Sequence, residues 1–167
     1  MLREKITKDR LESFFKSYKY LLSLEQDIEG FKRNYNFLKA NNYTSDKVMS
    51  GSKKASEEEM YVQTIERKSK EYNALKLRLD EEKSIIESQI KRVTNPTYQK
   101  ILTRRYLLLE DWNTITFDLY GGKDDWHIWG NTKYELLTMN LHRRARKQLE
   151  EVSQTAYIPQ QQTIEGI

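Results

Sequence analysis

Apolar side chains recur at strict seven-residue spacing through the middle of this chain, at Ile65, Tyr72, Leu79, Ile86 and Val93. Seven residues make nearly two turns of α-helix, so these side chains share one seam; a strand, whose faces alternate at every residue, would scatter them. Tyr61 and Leu75 occupy alternate seam positions, but Lys68, Glu82 and Gln89 fill the others, which leaves the stripe half apolar. A helix with so narrow a stripe needs a partner. The nearest lies upstream, where Leu11, Phe14, Tyr18, Leu21, Ile28, Tyr35 and Leu38 recur at intervals of three, four or seven residues. Those spacings predict two helical arms, about 8–40 and 56–93, folded back antiparallel. A self-associating coiled coil is the other option, and the two can coexist. At ~1.5 Å per residue each arm reaches roughly 50 Å.

The segment "ANNYTSDKVMSGSKKAS" reads as a flexible loop between the arms, most mobile at Ser50-Gly51-Ser52. Ser56 with Glu59 forms a capping-box pattern at the start of the second arm. "TNPTYQ" breaks that arm, with Thr94 or Asn95 as cap and Pro96 at the first position of a new helix, so a domain boundary is expected at Asn95. Three short helices should follow, at about 96–109, 112–120 and 132–152. Glu110 or Asp111 would start the second, and Gly121 would end it in a left-handed cap. Thr132 with Glu135 would cap the third. The polar, Gln-rich segment 153–167 reads as a disordered tail. The expected fold is therefore all-α. A long antiparallel hairpin or coiled coil (1–95) precedes a small helix-turn-helix domain (96–152), which carries an inserted loop at 121–131.

Composition removes several function classes. There is no cysteine, so disulfides and thiolate metal sites are excluded. "MLREKITKDR" has no apolar run, and no segment approaches the ~18 consecutive apolar residues of a membrane span. A soluble, cytoplasmic protein without membrane contact is expected. Net charge is only +4, so any nucleic-acid signal must come from local placement.

That placement is found in "NLHRRARKQLEEV", residues 140–152. Wound as a helix, Tyr134, Leu137, Leu141, Ala145, Leu149 and Val152 form a stripe for burial. Arg143, Arg146, Lys147, Met139 and Asn140 fall opposite it, with Arg144 and His142 on the flanks. A solvated face, with Glu150 and Glu151 pairing to Arg146 and Lys147, is the plain reading. The sharper reading follows from helix order, because this helix takes the recognition position of a helix-turn-helix. Asn140 and Arg143 are residue types that grip adenine and guanine edges bidentately. Thr132, Lys133, His142, Arg144, Arg146 and Lys147 would then hold phosphates. Arg104, Arg105, Trp126 and Trp129 are additional candidates for DNA or a partner, against plain packing roles for each.

Other constellations are thin. Asp124, Asp125 and His127 resemble metal ligands, but no second cluster accompanies them, and no metal or cofactor is expected. His142 has no serine, cysteine or acid placed to work with it, and Gly121-Gly122 lacks the Gly-Lys-Ser/Thr of a phosphate loop. An enzyme is not expected.

"ILTRRYLLLEDWNTITFDLY" followed by "YELLTMNLHRRARKQLEEV" resembles the C-terminal part of the phage late-transcription regulators of Gram-positive hosts, the ArpU, RinA and LtrC-like group. That part is similar to region 4 of bacterial sigma factors. The matching pattern is Arg105-Tyr106, Trp112 with Ile115, Leu119, and His142-Arg143-Arg144-Ala145 leading to Leu149. The resemblance covers roughly the last third of the chain. It implies an activator of phage packaging, structural and lysis genes, acting on double-stranded DNA in a bacterial host cell, beside host RNA polymerase. The arms would set a homodimer or meet a regulatory or inhibitor protein. One departure is the insertion "GGKDDWHIWGN", which would form a hairpin, widen the helix pair, or present Trp126 and Trp129 to a partner. Two rivals stand beside this reading: a small terminase-like packaging subunit, and an adaptor that acts through the arms.

Overall fold

A computed structural model describes residues 5–44 and 51–155. Among these every regular element is helical: α1 (Lys8–Thr44), α2 (Gly51–Ile90), α3 (Pro96–Leu102), α4 (Trp112–Tyr120), the single turn α5 (Trp126–Trp129) and α6 (Glu135–Thr155). π-helical turns extend α3 through Thr103–Leu107 and lead into α6 through Gly130–Tyr134. No described helix is long and apolar enough to cross a membrane.

Packing divides the chain into two compact units, one of Lys16–Glu81 and one that joins Met1–Phe15 to Glu82–Ile167. The division differs from the boundary expected at Asn95. Residues 82–95 and the first turns of α1 carry core residues of the C-terminal unit, among them Leu11, Phe14, Ile86, Ile90 and Val93.

In the unit of Lys16–Glu81, α1 and α2 run antiparallel. Tyr20 donates to Glu71, Tyr72 to Glu25 and Lys68 to Asp27, while Phe31 meets Tyr61, so residues 20–25 of α1 lie against 71–72 of α2, and residues 27–31 against 68–61. Leu21, Leu24, Ile28 and Leu79 are buried here. Each fully buried side chain of this size contributes about 1.5–3 kcal/mol, against roughly 0–1 kcal/mol for a surface ion pair, so the apolar seam holds the arms. The polar seam positions all have designated partners: Lys68 pairs with Asp27, Glu82 with Arg10 and Gln89 with Arg92.

Two expectations about the arms change. α2 begins at Gly51, so Ser56 lies inside the helix and not at its N-cap. Residues 45–50, including Ser50 of the expected mobile point, lie outside the described residues.

The C-terminal unit is assembled by caps and clamps that the sequence supplies locally. Asn95 accepts from the backbone N–H groups of Thr97 and Tyr98 at 2.9 and 3.2 Å, and Pro96 follows at the first helical position. The Gln99 amide donates to the Val93 carbonyl at 2.7 Å, tying α3 to the end of α2. Asp111 caps α4 through the Thr114 N–H at 2.8 Å, after Leu109 turns the chain with φ 58°. Gly121 ends α4 in the right-handed region (φ −59°), not in the expected left-handed cap. A Cβ there would lie 2.6 Å from the Phe117 carbonyl oxygen, so space, not φ, requires the glycine.

The core collects Ile6, Ile101, Leu102, Tyr106, Ile115, Tyr134, Ala145 and Leu149. Thr116 donates to Thr138 at 3.1 Å and Thr138 to the Tyr134 carbonyl at 2.9 Å, a buried polar link between α4 and α6. The Ile6 N–H donates to Ser153 Oγ at 3.1 Å, and Lys5 pairs with Glu150. Residues 153–155 are thus the end of α6 and not the start of a tail; 156–167 lie outside the described residues.

Candidate nucleic-acid interface

α6 is long and strongly polar, yet it has a sharply defined inner side. Tyr134, Thr138, His142, Ala145, Leu149 and Ser153 are buried at spacings of three and four. Leu137, expected in this stripe, is 40% exposed, because the stripe runs one residue further along, through Thr138 and His142. α3 and α4 pack against this side.

His142 is the pivot of that packing. It is 7% exposed, its Nε2 lies 3.0 Å from the Tyr106 hydroxyl, and its ring stands 4.7 Å from that of Trp112. Burial, with the Arg146 and Arg105 charges behind it, pushes its pKa down to about 3. A buried neutral imidazole does not hold a phosphate, so the phosphate role expected of His142 is withdrawn.

Three arginines expected at the DNA surface are also turned to internal use. Arg105 lies between two rings, 4.0 Å from the centroid of Phe15 and 4.4 Å from that of Trp112, and donates to the Glu110 carbonyl at 2.9 Å. This burial lowers its pKa. Arg104 holds Glu110 at 2.5 Å and also Asp118, which Lys100 shares. These bonds raise the Arg104 pKa and lower that of Asp118. Arg146 reaches Glu12 at 3.3 Å, not Glu150, which is taken by Lys5.

The inserted loop packs as α5 and the following π turn, with no strand among its described residues. Trp126 anchors it, edge-on to Phe117 at 5.6 Å and beside Tyr134 at 5.8 Å. Trp129 is 49% exposed. Asp125 receives Lys133 at 3.0 Å and the Tyr134 hydroxyl, so both Lys133 and Asp125 are engaged within the unit. The Thr132 hydroxyl donates back to the Trp129 carbonyl at 3.4 Å, and α6 starts three residues later without the expected capping box.

What remains on the outer side of α6 is a coherent line. Leu136, Asn140, Arg143 and Lys147 follow one another at spacings of four, three and four, with Leu137 and Arg144 on one shoulder. All are exposed except the half-buried Asn140, whose Oδ1 lies 3.4 Å from Arg143 Nη2. Arg144 and Lys147 have no ion-pair partner among the described residues. From Leu136 to Lys147 the line is ~16 Å long, the length of roughly five base-pair steps.

No family model, curated protein or solved structure matches this chain. The site therefore stands on its own residues. The leucines at its head, Leu136 and Leu137, escape a reading by hydropathy because leucines near a helix start are assigned to the core; only the competing Thr138–His142–Ala145–Leu149 spacing points to the rotation.

Proposed function

We propose that this chain is a sequence-specific DNA-binding regulator of transcription, with α6 as the helix that enters the major groove. The observation that carries this reading is the sorting of cations around α6. Arg104, Arg105, Arg146 and Lys133 are engaged by acids, carbonyls or rings within the unit, whereas Arg143, Arg144 and Lys147 project from the outer face. Asn140 and Arg143 would read base edges, and Arg144 and Lys147 would hold phosphates. The resemblance to the phage late regulators extends the proposal to activation of packaging, structural and lysis genes beside host RNA polymerase. The antiparallel arms then serve dimerisation or a regulatory protein.

The test is retention of fragmented DNA from the protein's own genome by the full chain, sequenced at two salt concentrations. Enrichment of a short region upstream of a gene block supports the regulator. Flat retention that vanishes at higher salt defeats sequence reading and, with a large ring in light scattering, favours a packaging subunit.

A further inference from the structure

Leu136 and Leu137 are the second and third residues of α6, 64% and 40% exposed, in a unit whose other α6 leucine near the C-terminal end, Leu149, is fully buried. Leu136 continues the line of Asn140, Arg143 and Lys147 one helical turn ahead of Asn140, and Leu137 lies beside it on the shoulder that also carries Arg144. In a helix lying in the major groove, the N-terminal residues contact base edges. The apolar group there is the thymine C5-methyl, which no other natural base pair presents at that position. Resting on the DNA-binding reading above, we infer that Leu136 and Leu137 form an apolar contact for thymine methyl groups, set beside the bases that Asn140 and Arg143 read. The cations on the same face, Arg143, Arg144 and Lys147, match a polyanion and not an apolar protein groove. The recognised half-site accordingly carries one or two thymines next to an adenine or guanine.

The experiment uses the full chain and a randomised duplex pool. The most strongly enriched sequence is resynthesised with each thymine replaced in turn by uracil, which pairs identically and lacks only the methyl. Replacement at one or two positions is expected to weaken binding about fourfold per methyl, the equivalent of one buried carbon. The Leu136→Ala, Leu137→Ala double variant, which alters exposed side chains and should unfold as the parent does, is expected to bind thymine and uracil duplexes alike. Enrichment of a sequence with no thymine–uracil difference overturns the methyl contact and leaves sequence reading intact. A difference that persists in the double variant overturns the assignment to these leucines. If no sequence is enriched at all, both this inference and the regulator reading fail.

Discussion

Arg143 and Arg146 stand one turn apart on α6 and are used in opposite ways. Arg146 turns inward, where Glu12 of α1 and the buried His142–Tyr106 pair surround it. Arg143 turns outward, where its bond among the described residues is to Asn140 Oδ1. The contrast holds for the whole C-terminal unit, where Arg104 and Arg105 tie the end of α3 to α4 and to Phe15 while Arg144 and Lys147 are exposed, with no ion-pair partner among the described residues. What separates the two sets is position relative to the buried stripe, not residue type. Substitutions on the inner side should therefore be read in stability, and those on the outer side in binding.

The largest effect expected on the inner side is produced by pH. Folded, His142 titrates near 3; unfolded, an imidazole titrates near 6.5. Between those values the unfolded chain takes up a proton that the folded unit refuses. The contribution is thus fully present above 6.5 and is lost as pH falls, at about 1.4 kcal/mol per unit. The loss is about 2 kcal/mol at pH 5 and about 3 kcal/mol near pH 4.3. Urea unfolding at pH 7.5, 6 and 5 measures it, above the range in which the lowered carboxyls of Asp111 and Asp118 are protonated. His142→Gln keeps a hydrogen-bonding group near Tyr106 but cannot titrate, and its stability should be nearly flat across this window. An equal slope in both proteins would remove His142 as the cause.

Comparable in size is Arg105→Ala. It removes two ring contacts, each worth about 0.5–1 kcal/mol at this partly exposed site, and a hydrogen bond to the Glu110 carbonyl worth about 1 kcal/mol. A loss of about 2–3 kcal/mol in unfolding free energy is expected. Arg105→Lys should restore only part of it, because an ammonium lacks the flat face that lies between Phe15 and Trp112. Full rescue by lysine would mean that charge alone, not stacking, fixes the residue.

The helices were legible in the sequence because periodicity and capping are local. The seven-residue repeat from Ile65, the Asn95-Pro96 start and the Asp111 cap all act within a turn or two of themselves. The rotation of α6 was not. Leu137–Leu141–Ala145 and Thr138–His142–Ala145 both follow helical spacings of three or four residues, and hydropathy favours the leucines. The choice was decided by tertiary partners more than twenty residues away, Thr116 for Thr138 and Tyr106 for His142, which make two polar residues good core residues. For the same reason the inward arginines could not be told from the outward ones: Glu12 is distant from Arg146 in sequence, and Phe15 from Arg105. The π turn before α6 gave no warning either, since Thr132 and Glu135 satisfy the capping pattern on paper.

Outer-side substitutions should leave stability within about 0.5 kcal/mol of the parent and move only DNA binding. Arg143→Ala is expected to weaken the preferred site by roughly 1–3 kcal/mol while leaving unrelated DNA nearly unaffected, so that discrimination between sites shrinks. Lys147→Ala is the smallest effect and the most diagnostic. Its ammonium sits one turn beyond Arg143 at the far end of the line, where a helix leaves the base edges and meets the backbone. It should weaken all sequences alike and reduce the slope of log affinity against log salt by about one. The two variants are compared on the same preferred and unrelated duplexes, over a range of salt. If both lose affinity equally on every sequence, the outer face grips phosphates without reading bases, and Arg143 differs from Arg146 only in pointing to solvent. If Lys147→Ala leaves the salt slope unchanged, the groove lies nearer the N-terminal end of α6, where Leu136, Leu137 and Asn140 would carry the contact.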